Sequence, residues 1–206
     1  MMSLGTVEKV ERARGRVKNE RGFSMMELVV VLAVIAILST LITPIITSYV
    51  DKAKVNKARS DVKAIATALV QFNTDTKTFP IFKTPADYPN GAVFEVVVSE
   101  GVDPAQAGGI SGWIVASPGD LKAMLNDNSL QLTTSGRVAW NGPYVGGIGE
   151  DPWGSKYFVT GRALKPGTLT AFVLSAGPDR TISTPLDQTR GTAFVIGGDD
   201  IVSIVR

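Results

Sequence analysis

The stretch ERGFSMMELVVVLAVIAILSTLITPIITSYV, residues 20–50, decides the architecture of this chain. From Leu28 to Val50 no residue carries a charge. At about 1.5 Å per residue in a helix, a run of that length crosses a hydrocarbon core of about 30 Å. A cleaved secretory signal has an apolar region of roughly 7 to 15 residues and ends in a small-x-small site. This run is longer and ends in Ile45, Ile46, Tyr49 and Val50. Glu27 stands at its very start, where a lone ionised carboxylate drawn to mid-bilayer costs on the order of 2.5 to 3.5 kcal/mol. A group kept at that cost calls for a role.

The apolar pattern changes after Pro44, whose missing N–H and ring clash cost about 3 kcal/mol in a helix interior and predict a kink between Ile42 and Ile45. From there Val55, Ala58, Val62, Ile65, Leu69 and Phe72 recur at alternating steps of three and four. That spacing draws one seam along a helix. The economical reading is one helix from about Ser24 to Asn73, roughly 75 Å long at 1.5 Å per residue, membrane-embedded first and amphipathic afterwards. Lys52, Lys54, Lys57 and Arg59 read as a solvated face near lipid headgroups.

Composition narrows the function classes. The net charge is +2, and the first 22 residues hold six basic and three acidic side chains, so the remainder is close to neutral. A nucleic-acid binder needs a strong basic excess on one face, and none is present. The basic leader precedes the apolar run but Lys63 and the four cations named above follow it, so the positive-inside rule favours a cytoplasmic N-terminus by a narrow margin. There is no Cys and no His. Disulfides, thiol and imidazole catalysis and Cys/His zinc sites are excluded by inventory, and no G-x-S-x-G elbow is present. The chain reads as a non-enzyme, and only oxygen ligands remain for a metal.

Beyond the helix, Thr78-Phe79-Pro80 turns the chain, and residues 80–149 are rich in Gly, Pro, Asp, Asn and Ser. Within them residues 94–98 read as a short strand. Ser117-Pro118-Gly119-Asp120 opens a short helix with Leu121, Met124 and Leu125 on one face. Residues 156–160, 169–174, 192–196 and 201–205 are β-rich runs between turn residues. A small antiparallel sheet packed on the helix seam makes the fold α+β. Trp153 and Tyr157 read as packing residues of that sheet.

A basic leader ending in Gly22, then Phe23, then Glu27, then an apolar run with Pro44 and an amphipathic extension, resembles the N-terminus of type IV pilins and type II secretion pseudopilins. Asp151-Pro152-Trp153-Gly154 with Tyr157, Leu174-Ser175-Ala176-Gly177-Pro178-Asp179, and Asp199-Asp200-Ile201 are similar to the tail of the major pseudopilins. The resemblance implies a pilin fold in which prepilin peptidase cuts between Gly22 and Phe23 and methylates Phe23. It implies that Glu27 neutralises the N-terminus of a neighbouring subunit. The organisation that follows is a cleaved leader over 1–22, a transmembrane and filament-core helix over 23–50, and its amphipathic continuation over 51–79. A loop-rich region over 80–149 and a small sheet over 150–206 complete it.

The same resemblance implies a calcium loop in the tail, with carboxylates from Asp179, Asp199 and Asp200 and main-chain oxygens from Ala176 and Gly197. Clustered Asp with carbonyls is the donor set calcium prefers. The stretch from Asp179 to Asp199 is about twice the family's usual length. The expected function is a structural subunit of a secretion pseudopilus, anchored in the inner membrane with its sheet domain outside. Its expected partners are copies of itself, the prepilin peptidase, the inner-membrane assembly platform and the membrane, with no nucleic acid. The alternatives are a type IV pilus subunit, or a bitopic anchor whose residues 81–142 bind a ligand.

Overall fold

The computed structural model describes residues 22–88 and 90–205, without the side chains of residues 41–45. The leader through Arg21 lies outside the described residues, and around Pro44 the backbone of residues 41–45 is helical. Helix α1, Met25–Thr76, carries the predicted pattern three residues further than its periodicity indicates. Among the described residues no helix is long and apolar enough to cross a membrane. The continuous described part of the apolar run, residues 25–40, falls short of the ~20 residues a span needs, and the rest of the predicted span begins in 41–45.

The chain divides into two compact units, Met1–Ile46 and Thr47–Arg206. In the first, the apolar side chains around α1 from Met25 to Leu38 are exposed in successive positions. A helix that is apolar all round has no aqueous face. In the second, Ala58, Val62, Ile65, Leu69 and Phe72 are buried, as the seam predicts, with Val55 partly so. Lys52, Lys57 and Arg59 are exposed and Lys54 is half-buried.

The strands are β1 Val97–Val98, β2 Ala105–Gln106, β3 Gly119–Asp120, β4 Tyr157–Val159, β5 Phe172–Ser175, β6 Thr181–Ile182 and β7 Ile201–Ile204. Five of them form one sheet in the order β3-β1-β4-β5-β7. It is antiparallel from β1 to β7, but β3 joins β1 in parallel, so the sheet is mixed. The parallel strand exists because Asp120 both ends β3 and caps helix α2, Leu121–Asn126, accepting from the Ala123 N–H at 3.0 Å. Leu121, Met124 and Leu125 are buried, as their spacing predicts.

Side chains alternate across the pleat. Val97, Tyr157, Val159 and Val173 join the α1 seam in one core. Val96, Val98, Phe158, Phe172 and Leu174 face away from the helix and form a second. A lone small sheet would leave that face wet. Here the segments around β2 and β6, paired in parallel at Ala105↔Thr181 and Gln106↔Ile182, cover it. Trp113 lies at its centre, edge-on to Phe158 and Phe172 at 5.8 and 5.5 Å.

Residues 192–196 do not form the predicted strand. Phe194 packs on Phe172 at 5.0 Å, and the side-chain amide of Gln188 does what a neighbouring strand would do. Its Oε1 accepts from the Val195 N–H at 2.8 Å and its Nε2 donates to the Val195 carbonyl at 2.7 Å. Val195 thus has its hydrogen bonds satisfied without a ladder.

Candidate functional site

The N-terminal site begins at Gly22 and Phe23, both exposed ahead of α1. Ser24 starts the helix. Its Oγ accepts from the Met26 N–H at 3.3 Å, and Glu27 Oε2 accepts from the Ser24 N–H at 3.4 Å. This reciprocal pattern is a capping box, and its sequence signal is Ser24-x-x-Glu27. Glu27 therefore has a local task that the reading of the apolar run alone missed.

The tail site is built on the end of β5. Asp151, buried, accepts at Oδ1 from the Trp153 and Ser155 N–H groups at 3.0 and 2.8 Å. Its Oδ2 accepts from Ser175 Oγ at 2.7 Å, and Ser175 Oγ accepts from the Gly177 N–H at 3.3 Å. The Asp151-Pro152-Trp153-Gly154 turn and the Ser175-Ala176-Gly177 turn are thus one hydrogen-bonded unit. Tyr157 is buried and Trp153 packs against the same core, in keeping with their predicted roles.

Gly177 has φ +70°, and a Cβ there would collide with the Asp199 carbonyl. That close approach brings the two ends of the long loop together. The Asp179 N–H donates to Asp199 Oδ2 at 3.2 Å. Gly197 lies so close to the Ser183 carbonyl that no side chain fits, and its carbonyl accepts from the Asp200 N–H at 3.2 Å. Asp200 turns away from this pair. Its Oδ2 accepts from the Ser183 and Thr184 N–H groups at 2.9 and 2.7 Å, while its Oδ1 is buried without a partner. Ala176 is fully buried behind them.

The extra loop length therefore does not separate Asp179 from Asp199, but the third carboxylate points elsewhere. Among the described residues no group of three acidic side chains could hold a metal ion as placed. Two features still suit a cation. Burial pushes the Asp199 carboxyl above its usual range, and the Asp179 side chain hydrogen-bonded to it adds to the rise. Burial also pushes Asp200 up, against the opposing bonds from Thr184 and Ser183.

One link ties helix to sheet. Tyr157 Oη donates to Asp61 Oδ2 at 2.7 Å, and Lys57 Nζ reaches the same oxygen at 2.7 Å. Burial, with Asp61 beside it, holds the tyrosine hydroxyl far above its ordinary range, so it remains a donor at every working pH. Tyr157→Phe is expected to cost about 1.5 to 2 kcal/mol, the low end for a hydrogen bond to a charged group, because Asp61 keeps Lys57. A thermal melt should show it as a fall of roughly 3 to 8 °C in a domain of this size.

The comparisons can now be set beside this geometry. The model of the prokaryotic N-terminal methylation motif matches residues 17–43, which contain Gly22, Phe23 and Glu27. The start of the chain is thus similar to that of N-terminally methylated, pilin-like proteins. The type II secretion system core protein G of Pseudomonas aeruginosa is 38% identical over 63 residues, 31% of this chain and 44% of that protein. The core protein G of Escherichia coli K12 is 26% identical over 171 residues, 82% of this chain and 90% of that one. That of Aeromonas hydrophila is 24% identical over 180 residues, 87% and 92% respectively. In the first alignment the chain spans under half of its relative, and in the other two nine tenths. No solved structure matches the chain. The pilin-like helix followed by a mixed α+β domain agrees with the fold expected from the sequence.

Proposed function

We propose that this pilin-like chain is the structural subunit of a type II secretion pseudopilus. Prepilin peptidase removes residues 1–22 and methylates Phe23, and the chain waits in the inner membrane until the assembly platform adds it to a filament of its own copies. One observation carries this reading: the methylation motif at residues 17–43 leads into a helix whose side chains from Leu28 to Leu38 are apolar and exposed. Such a surface has two stable environments, lipid and other helices of the same kind. Filament assembly exchanges the first for the second. The sheet domain, with its own cores, is left to coat the outside. Relatives matched over nine tenths of their length are secretion proteins, which favours a pseudopilus over a type IV pilus. The N-terminal mass of the chain purified from membranes tests the reading. It should begin at a methylated Phe23, and an intact leader would identify a bitopic anchor instead.

We further propose that the tail takes calcium. Asp179 and Asp199 supply facing carboxylates, main-chain oxygens of Ala176 and Gly197 add to them, and Asp200 joins by turning from its Ser183 and Thr184 amides toward the pair. The ion's chemistry there is charge neutralisation. The sign of the pH effect follows. A carboxylate whose folded value is raised binds its proton more tightly in the folded chain, so without metal its ionised form destabilises above that value and is relieved on acidification through it. Asp199→Asn removes one charge of the pair. In chelator it should melt no lower than the parent, and calcium should lift only the parent. A ligand at a hundred times its dissociation constant adds about 2.7 kcal/mol, so the difference is measurable by melting with and without calcium. A parent indifferent to calcium would remove the site.

A further inference from the structure

The end of α1, the segment that follows it and residues 164–166 wall a cavity of about 660 Å³. Three features set it apart. Phe79, Phe82 and Tyr88 make an aromatic wall, with Phe82 and Tyr88 edge to face at 5.7 Å. Lys77, Lys165 and Arg190 line it, and among the described residues no carboxylate does. None of these cations forms an ion pair among the described residues. Each is held only by a main-chain carbonyl: Lys77 Nζ by Thr74 at 2.8 Å, Lys165 Nζ by Gly91 at 3.2 Å and Arg190 Nε by Leu169 at 2.9 Å. Lys165 also lies 5.9 Å from the Phe82 ring centroid.

Lys77 carries a second mark. It ends α1 with φ +59°, the left-handed conformation for which glycine is the easy residue. A lysine kept there accepts backbone strain, and such strain gathers at functional positions. From that position its side chain lines the cavity. A smaller cavity of about 350 Å³ shares Phe79, Leu164 and Arg190 with the first and runs on to Ile204 and Val205.

We propose that this paired cavity binds an acidic peptide segment bearing an aromatic or branched aliphatic side chain. The carboxylate lies among Lys77, Lys165 and Arg190, and the apolar side chain lies on Phe79, Phe82 and Tyr88. Cation–carboxylate bonds and aromatic burial fit one ligand here because both groups line one volume of small-ligand size. A peptide suits the cavity better than a lipid, since the side-chain amides of Asn73 and Asn90 offer the paired donors and acceptors that a peptide main chain needs. The proposal goes beyond filament assembly and stands whether or not the chain is a pseudopilin.

The test uses the full chain in phosphatidylcholine nanodiscs, titrated calorimetrically with acetyl-Ala-Leu-Phe-Glu-amide and with its Gln counterpart. The Glu peptide should bind at least about fivefold more tightly, the upper range of one exposed ion pair. Arg190→Gln should remove most of that preference, and Arg137→Gln, an exposed cation absent from the cavity lining, should leave it intact. Lys77→Gly separates binding from folding. It should melt at or above the parent temperature, because glycine relieves the strained backbone, yet bind the Glu peptide about fivefold more weakly. Equal affinity for the two peptides overturns the proposal, as does undiminished binding by Lys77→Gly. So does an anionic lipid site, seen as binding of phosphatidylglycerol vesicles that depends on Lys77 and Arg190 while the peptide does not bind.

Discussion

Glu27→Gln is expected to enter the membrane and lose its leader, yet fail to enter filaments. The glutamate has two separable properties. Its Oε2 accepts from the Ser24 N–H at the helix start, and in the proposed filament its charge neutralises the N-terminus of a neighbouring subunit. Glutamine keeps an acceptor oxygen at the same place, so the start of α1 survives. The charge is lost. In an apolar filament core the methylated Phe23 ammonium would then be buried unpaired, and breaking a buried pair in that way costs about 3 to 5 kcal/mol. At 1.4 kcal/mol per tenfold, incorporation should fall by roughly a hundredfold or more. Glu27→Ala also loses the bond to the Ser24 N–H, at a few tenths of a kcal/mol to about 1 kcal/mol more, while the Ser24 cap stays. Leader removal is read from the N-terminal mass, and assembly from the share of chain in sheared filaments. Parent-level filaments from Glu27→Gln would reduce Glu27 to a helix cap, and in that case Glu27→Ala should show a small loss of helicity and little else.

Trp113→Ala should be the most destabilising single change in the sheet domain. The indole is fully buried, meets two rings edge to face, and donates from Nε1 to the Thr184 carbonyl at 2.8 Å. Its removal empties the centre of the second core, at about 3 to 5 kcal/mol for an aromatic-to-alanine change. The melting midpoint should drop by roughly 10 °C or more. Trp113→Phe keeps most of the apolar area and gives up the hydrogen bond, so it should cost nearer 1 kcal/mol. The Thr184 N–H that binds Asp200 lies on the segment Trp113 pins, so Trp113→Ala should also weaken any response to calcium. An unchanged midpoint would mean that the cover around β2 and β6 folds independently of the sheet.

Much of this protein is written in short-range patterns. The steps of three and four from Val55 to Phe72 mark the buried face of α1, because a helix brings such positions to one side whatever packs there. Asp120 ahead of Leu121, Met124 and Leu125 marks α2 for the same reason. Ser24-x-x-Glu27 is equally a local signal, since both of its hydrogen bonds stay within three residues. β-rich composition between turn residues in 156–160, 169–174 and 201–205 locates three strands, with the ends shifted by a residue or more.

Tertiary structure decided what those patterns leave open. Residues 192–196 have strand propensity, yet a glutamine four residues before that run satisfies Val195, and no local rule could choose between the two partners. Tyr157 and Asp61 meet across 96 residues, and Asp151 and Ser175 across 24. The aspartates of the tail are a further case. Their sequence suggests three equivalent ligands, but the bend at Gly177 turns two together while the insertion offers the third a pair of amides at Ser183 and Thr184. The physical reason is common to all of these. Period and capping depend on neighbours within one or two turns of chain, which the order of residues specifies directly. Long-range partners are chosen by which closed loops bury the most apolar surface with every polar group satisfied, and that choice exists only once the whole domain has packed.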